Sequence, residues 1–164
     1  MSPMTELKTY NFPNCILWAV IVLTISLYAP KLSACPYELP QTTISINGQE
    51  LTAEIAHTPD TRTCGLSRRQ TLATNTGMLF IFPNFRPRTF WMKDTFIPLS
   101  IAFLDETGKI VQIHRMQADQ THTTYSSVAP ARYALEVNQG WFSLHDIKTG
   151  DTVEFNLPGI LKIQ

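Results

Sequence analysis

Residues 90–105, FWMKDTFIPLSIAFLD, set a tryptophan, a lysine, an aspartate and a threonine inside what otherwise reads as sheet core. If the first part is a strand, Phe90 and Met92 point to one face while Trp91, Lys93 and Thr95 point to the other, because successive side chains alternate. The core side is then apolar, and the opposite side carries an aromatic plate beside a cation. The second part continues as SIAFLDETGKIVQIHRM, residues 100–116, where apolar runs flank Asp105 to Gly108. That pattern predicts a hairpin with its turn at Asp105–Gly108.

Working outward, GMLFIF, residues 77–82, is apolar on both faces and predicts a strand in the middle of a sheet covered on each side. TTISINGQELTAEIA alternates with period two about Asn47-Gly48, which predicts strands near 42–47 and 50–56 joined by a tight turn. In HTPDTRTCGLSRRQ, Thr58 reads as an N-cap with Pro59 at the first helical position, predicting a short helix that ends near Gly65 or Arg69. ARYALEV, residues 131–137, alternates again, with Ala131, Tyr133, Leu135 and Val137 opposed to Arg132, Ala134 and Glu136. NQGWFSLHDIKTG predicts a short helix capped by Asn138 and stopped by Gly150, and DTVEFNL, residues 151–157, a last strand. Many short strands at close spacing, with one or two brief helices, predict an all-β class: a compact, single-domain β-sandwich or barrel-like fold.

The N-terminus predicts where the domain works. CILWAVIVLTISLYA, residues 15–29, is too short for an ordinary spanning helix, which needs about 20 apolar residues, and has the length of a signal-peptide core. Leu32-Ser33-Ala34-Cys35 resembles a bacterial lipobox, in which the cysteine is acylated and becomes the new N-terminus. The expected organisation is a lipoprotein signal peptide at 1–34, a tether at 35–41 and one domain at 42–164, with Cys35 as the lipidation site. Plain secretion and an uncleaved N-terminal anchor are the alternatives. Removing residues 1–34 takes two of 13 basic and one of 13 acidic residues, leaving a net charge near −1. Such a balance argues against nucleic acid as a partner. Of the three cysteines, Cys15 falls in the signal and Cys35 carries lipid, which leaves Cys64 as a buried, inert thiol in a domain that needs no disulfide.

GMLFIF, then FWMKDTFIPLSIAFLDETGKIVQI, then YSSVAPARYALEVNQGW, then GDTVEF, in that order, resemble the family called Domain of Unknown Function 192. The resemblance covers residues 42–157. It implies a compact β-sandwich, often behind a signal peptide, and brings no established reaction. The chain departs from the family pattern at Ser67, where Met is usual after Gly-Leu, at Asp94, where Asn is commoner, and at Ser100, which replaces the Asp of a Pro-Leu-Asp tripeptide. A family activity resting on that Asp would be missing here.

The residues themselves point to a ligand site. Lys93 supplies a point charge, Trp91 a surface on which a sugar or planar group stacks, and Thr95 a hydrogen bond, with Asp94 beside them. Glu136, alternating with apolar neighbours, either finds a basic partner or titrates high. Arg62, with Arg68 and Arg69, offers an anion cradle near the end of the short helix. A plainer reading pairs Lys93 with Asp94, Asp105 or Glu136 and leaves Trp91 as an edge cap. Tyr125-Ser126-Ser127 and Arg132 are further candidates for the same cleft. His114, Met116, Asp119 and His122 would suit soft copper, yet no zinc signature, phosphate loop or dinucleotide fingerprint occurs, so no metal or cofactor is implied. Catalysis would need Cys64 with His57, or Asp94 with Glu136, to converge. The expected function is that of a periplasm-facing, lipid-anchored envelope protein acting as a non-catalytic binding or interaction module for a small polar or anionic ligand, a glycan or an envelope protein. A small hydrolase using the same cleft and a structural accessory are the alternatives.

Overall fold

The computed structural model describes residues 35, 37–159 and 161–164; the predicted signal peptide lies outside the described residues. Among these described residues, nine strands and two short helices follow in the order β1 (Gln41–Ile46), β2 (Gln49–Ala56), α1 (Pro59–Cys64), β3 (Thr76–Arg86), β4 (Thr89–Trp91), β5 (Leu99–Leu104), β6 (Ile110–Met116), β7 (Thr124–Ser126), β8 (Ala131–Asn138), α2 (Trp141–Leu144) and β9 (Val153–Phe155). Seven strands form one sheet in the order β6-β5-β8-β3-β2-β1-β9, and β4 pairs with β7 in a second, two-stranded sheet. The large sheet curls until its far ends meet. Lys109 and Thr152, just before β6 and β9, form an antiparallel bridge, and the Ile110 amide donates to the Asp151 carbonyl at 2.8 Å.

Local chemistry accounts for most of these elements. Asn47 and Gly48 both take positive φ, 51° and 79°, which suits the right-handed twist of a two-residue hairpin and sets the Ile46–Gln49 register. Thr58 caps α1: its hydroxyl accepts from the Thr61 amide, and the Thr61 hydroxyl accepts from the Thr58 amide. Asp105 closes the β5–β6 turn by accepting at Oδ1 from the Thr107 and Lys109 amides.

The curled sheet buries two apolar clusters, one on each face. The inner cluster joins Ile44, Ile55, Leu79 and Leu135 to Trp141 and Phe142, so α2 fills the inside of the curl. The outer cluster joins Met78, Phe80, Leu99, Ile101 and Phe103 to Leu66 and Met92, and is covered by the α1 segment and the small sheet. β3 and β8 feed both clusters through their alternating residues. Gly77 permits their close approach, since a Cβ there would collide with the Glu136 carbonyl oxygen.

The all-β expectation holds, with one feature that no local pattern announced and two corrections of detail. β2 and β3 pair in parallel, with Thr52 opposite Thr76, so α1 and the following loop form a crossover between them. α2 is capped by Gly140 rather than Asn138 and ends at Leu144, with His145 as its C-cap, before Gly150. The strand expected through Phe90–Thr95 ends at Trp91. Lys93 and Asp94 then make a turn in which Asp94 has φ 55° and the Thr95 amide donates to the Met92 carbonyl. An Asp tolerates that left-handed backbone better than most residues, and extended pairing stops there.

Of the segment expected as a tether, residues 35 and 37–41 are described and lie against the domain. Gln41 starts β1, the Pro40 carbonyl accepts from the Ile55 amide at 2.8 Å, and Cys35 is disulfide-bonded to Cys64 with their Cα atoms 5.7 Å apart. Cys64 is therefore not the unpaired thiol expected. One sulfur cannot hold both a thioether lipid and a disulfide, so lipidation of Cys35 and this bond are mutually exclusive.

Candidate ligand-binding cleft

A cleft of about 640 Å³ opens on the outer face of the sheet. One wall is α1 and the Gly65–Ser67 segment; the other is the chain from Arg86 through β4 to Lys93. Phe80 of β3 and Glu136 of β8 form the floor. Gly65 ends α1 with φ 51° beneath the Phe80 ring, where a side-chain carbon would come within 3.3 Å, so the wall sits close on the floor.

The side chains around this space are cations and aromatic rings. Arg62 and Arg88 flank the Phe82 ring, with guanidinium carbons 5.3 and 3.9 Å from its centroid. Backbone carbonyls hold both in place: Arg62 donates to His57 and Ile81, and Arg88 donates through Nε to Ala131 at 3.1 Å. Arg88 is buried, and its pKa falls to about 10, first through burial and then through the charges of Arg86, Arg62 and Arg132. Lys93 Nζ lies 5.7 Å from the centroid of the Trp91 ring, which is 56% exposed. Among the described residues the one salt bridge joins Arg69 to Glu54, outside the cleft. Among the described residues Arg62, Arg86, Arg88 and Lys93 thus form a rim that no Asp or Glu side chain pairs with, Arg62 also donating to the Gln164 main-chain oxygen at 2.7 Å.

Glu136 is the acid of this cleft. It is 5% exposed, stands between Met78 and Ile101 on the neighbouring strands, and has no ion pair or hydrogen bond from its carboxyl group to another described residue, its oxygens opening onto the cleft. Burial raises its pKa from 4.5 to about 8, so the neutral acid predominates near pH 7. A neutral carboxyl group at the bottom of a positively charged cleft can donate one hydrogen bond and accept others.

Five residues singled out in the sequence, Arg62, Trp91, Lys93, Thr95 and Glu136, line this one space. Asp94 does not: it is exposed in its turn, where its carbonyl accepts from the Arg68 amide at 2.7 Å. The conceivable pair of Asp94 with Glu136 is therefore not assembled in the cleft, and Cys64 is engaged with Cys35. The pairing of Glu136 with Lys93 or another basic partner is also not made among the described residues; nearby in sequence, Arg132 donates to the Pro83 carbonyl. Trp91 and Lys93 come together across a turn and not along a strand. Arg86 and Arg88 escaped the sequence reading. They stand in FRPRTF, a Pro-containing run that reads as an exposed loop, and the bond from Arg88 to Ala131 spans 43 residues. His114 Nε2 lies 3.0 Å from the Ser126 carbonyl, and no group of three or more metal-ligating His, Cys, Asp or Glu residues occurs among the described residues.

Among curated proteins, none matches this chain. Two solved structures resemble it closely. A protein from Sinorhizobium meliloti 1021, described as a candidate transcription regulator, is 30% identical with a TM-score of 0.69, over 73% of this chain and 97% of that one. A protein of unknown function from Novosphingobium aromaticivorans DSM 12444 is 27% identical with a TM-score of 0.67, over 77% and 94%. The model of DUF192, described as an uncharacterized ACR, matches residues 42–155, and the chain belongs to that family.

Proposed function

We propose that this protein is an envelope binding module whose outer-face cleft takes a small organic anion. The observation that carries the reading is the cationic rim of Arg86, Arg88 and Lys93, with Arg62 beside them, which no described Asp or Glu side chain pairs with, around an aromatic-walled space of about 640 Å³. Pockets for small molecules commonly combine apolar walls with a few convergent polar groups in this size range, about 300–1,000 Å³. Unpaired cations beside low-dielectric walls favour an anion more strongly than the same charges on an open surface. Trp91 and Phe90 offer flat faces to the body of the ligand, and Thr95 and Ser67 offer hydroxyls.

The apolar segment at 15–29 and the Leu32-Ser33-Ala34-Cys35 sequence support export to the cell envelope, and in a form with a lipid on Cys35 holding the domain at the membrane the bond to Cys64 is absent. A soluble periplasmic form is the second reading, favoured by the bond between Cys35 and Cys64, which an oxidising compartment sustains. Fractionation of cells carrying Cys35→Ala separates the two. Release from the membrane supports the lipid; a wild-type protein already soluble after signal cleavage supports the disulfide form.

Binding is tested by thermal shift of the purified protein against small organic anions, sugars and cell-wall fragments. A ligand of the native state raises the melting temperature by mass action. An anion that stabilises the wild type but not Lys93→Ala or Trp91→Ala supports the cleft. Anions that leave the wild type unmoved, or shift both variants equally, contradict it.

A further inference from the structure

The cationic rim explains attraction of a negative charge but leaves the floor unexplained. Glu136 is a buried residue that lines the cleft; no other described residue hydrogen-bonds its carboxyl group, and its oxygens are not sealed off but open onto the space of the cleft. The fold could have placed an apolar residue there: Ala134 and the partners Met78 and Ile101 on this face are all apolar and fully buried. Polar groups in protein interiors almost always have a partner, so a largely buried carboxyl group that no residue meets and that opens onto a cleft takes its partner from that space, water in the empty cleft and a ligand in the filled one.

We propose, on the strength of the anion reading above, that Glu136 is the specificity-determining residue of the cleft: it hydrogen-bonds a hydroxyl of a hydroxylated organic anion whose charged group rests on the Lys93 and Arg88 side. A hydroxyl matches a protonated carboxyl because each gives one hydrogen bond and accepts another, whereas a second carboxylate only accepts. An ammonium group suits the floor less well, because Arg62 on α1, Arg86 and Arg88 on the second wall, and Lys93 in the turn all face the same space. The groups on the flanking strands, Met78 of β3 and Ile101 of β5, carry no charge.

The pH dependence of this contact has a definite sign. Burial keeps Glu136 protonated up to about pH 8, and a bound anion beside it opposes ionisation further. Affinity is therefore constant below that point and falls as pH rises through it, by up to about tenfold per unit. Arg88, at about 10, remains charged over that range.

The test is titration calorimetry with three probes of equal carbon number between pH 6 and 9: gluconate, which has charge and hydroxyls; hexanoate, which has charge alone; and sorbitol, which has hydroxyls alone. Gluconate is expected to bind at least tenfold more tightly than either of the others, with affinity falling above pH 8. Glu136→Gln, which keeps a donor and an acceptor, should retain gluconate binding within a few-fold and lose the pH dependence. Glu136→Leu should bring gluconate down to the level of hexanoate, with near-ultraviolet circular dichroism checking that both variants are folded. Equal binding of gluconate and hexanoate by the wild type, or a preference that survives Glu136→Leu, overturns the role of Glu136 while leaving the rim intact. If neither anion binds, or if Lys93→Ala binds both as the wild type does, the rim reading fails and this inference with it.

Discussion

The two faces of the curled sheet are made by the same strands and finish differently. On the inside, Leu79 and Ile81 of β3 meet Leu135 and Val137 of β8, and Trp141 and Phe142 close the space. On the outside, Met78, Phe80 and Ala134 begin an equally apolar layer, but the covering pieces leave a gap, and Glu136 stands at its floor. Alternation along β8 thus puts Leu135, wholly buried in hydrocarbon, next to a carboxyl group that burial holds neutral. The inner face has the composition of a scaffold, and the outer face tolerates a destabilising acid that packing alone does not require.

Substitutions on the two faces should therefore behave in opposite ways. The largest effect is expected on the inside: Leu135→Ala should destabilise the domain by about 3–4 kcal/mol in urea unfolding, through lost burial and a residual cavity. A cost under about 1 kcal/mol would mean that the inner layer is not the tightly packed one.

Next in size is Glu136→Gln, with the sign reversed. Because the folded pKa of about 8 lies above the ordinary 4.5, the native state is favoured fully below pH 4.5 and loses stability as pH rises through 8. The variant lacks that loss. It should match the wild type near pH 4 and exceed it by roughly 3 kcal/mol at pH 9, taking about 1.4 kcal/mol for each tenfold change in proton affinity and discounting for local relaxation. Parallel stability curves for the two proteins from pH 4 to 9 would remove the contrast between the faces.

A smaller effect is expected at the wall of the cleft. Thr58→Ala removes the side-chain acceptor that caps α1 and should cost about 1 kcal/mol, with amide exchange accelerating in Pro59–Cys64 before it does in β8. Uniform acceleration across the sheet would show that α1 is not a separable cover. Smallest in stability is Lys93→Ala. Lys93 is exposed and makes no ion pair, so its melting temperature should stay close to that of the wild type while anion binding weakens.

Much of the fold was legible in local chemistry. Asn47-Gly48 announces a hairpin, GMLFIF a central strand, and Thr58-Pro59 a helix start, and each is where those residues place it. The parallel pairing of β2 with β3 was not legible, because contact across a crossover leaves no local signature. Lys93-Asp94-Thr95 misled, since the alternation of Phe90, Trp91 and Met92 continues past the point where positive φ at Asp94 breaks the strand. The site divides in the same way. Trp91, Lys93 and Glu136 stood out because their residue types conflict with their apolar surroundings. Arg88 did not, because its burial depends on the Asn84 and Ala131 carbonyls and the Ser127 hydroxyl, and two of those groups come from a distant part of the chain.

The contrast between the faces rests on one carboxyl group, which can be observed directly. Carbon-detected NMR of the side-chain carboxyls, with Glu136 assigned by its absence from Glu136→Gln, should show a titration near pH 8 that moves upward when gluconate is added. A Glu136 signal that titrates in the ordinary carboxylate range, or one that gluconate leaves unmoved, would contradict a neutral acid waiting at the floor of a ligand site.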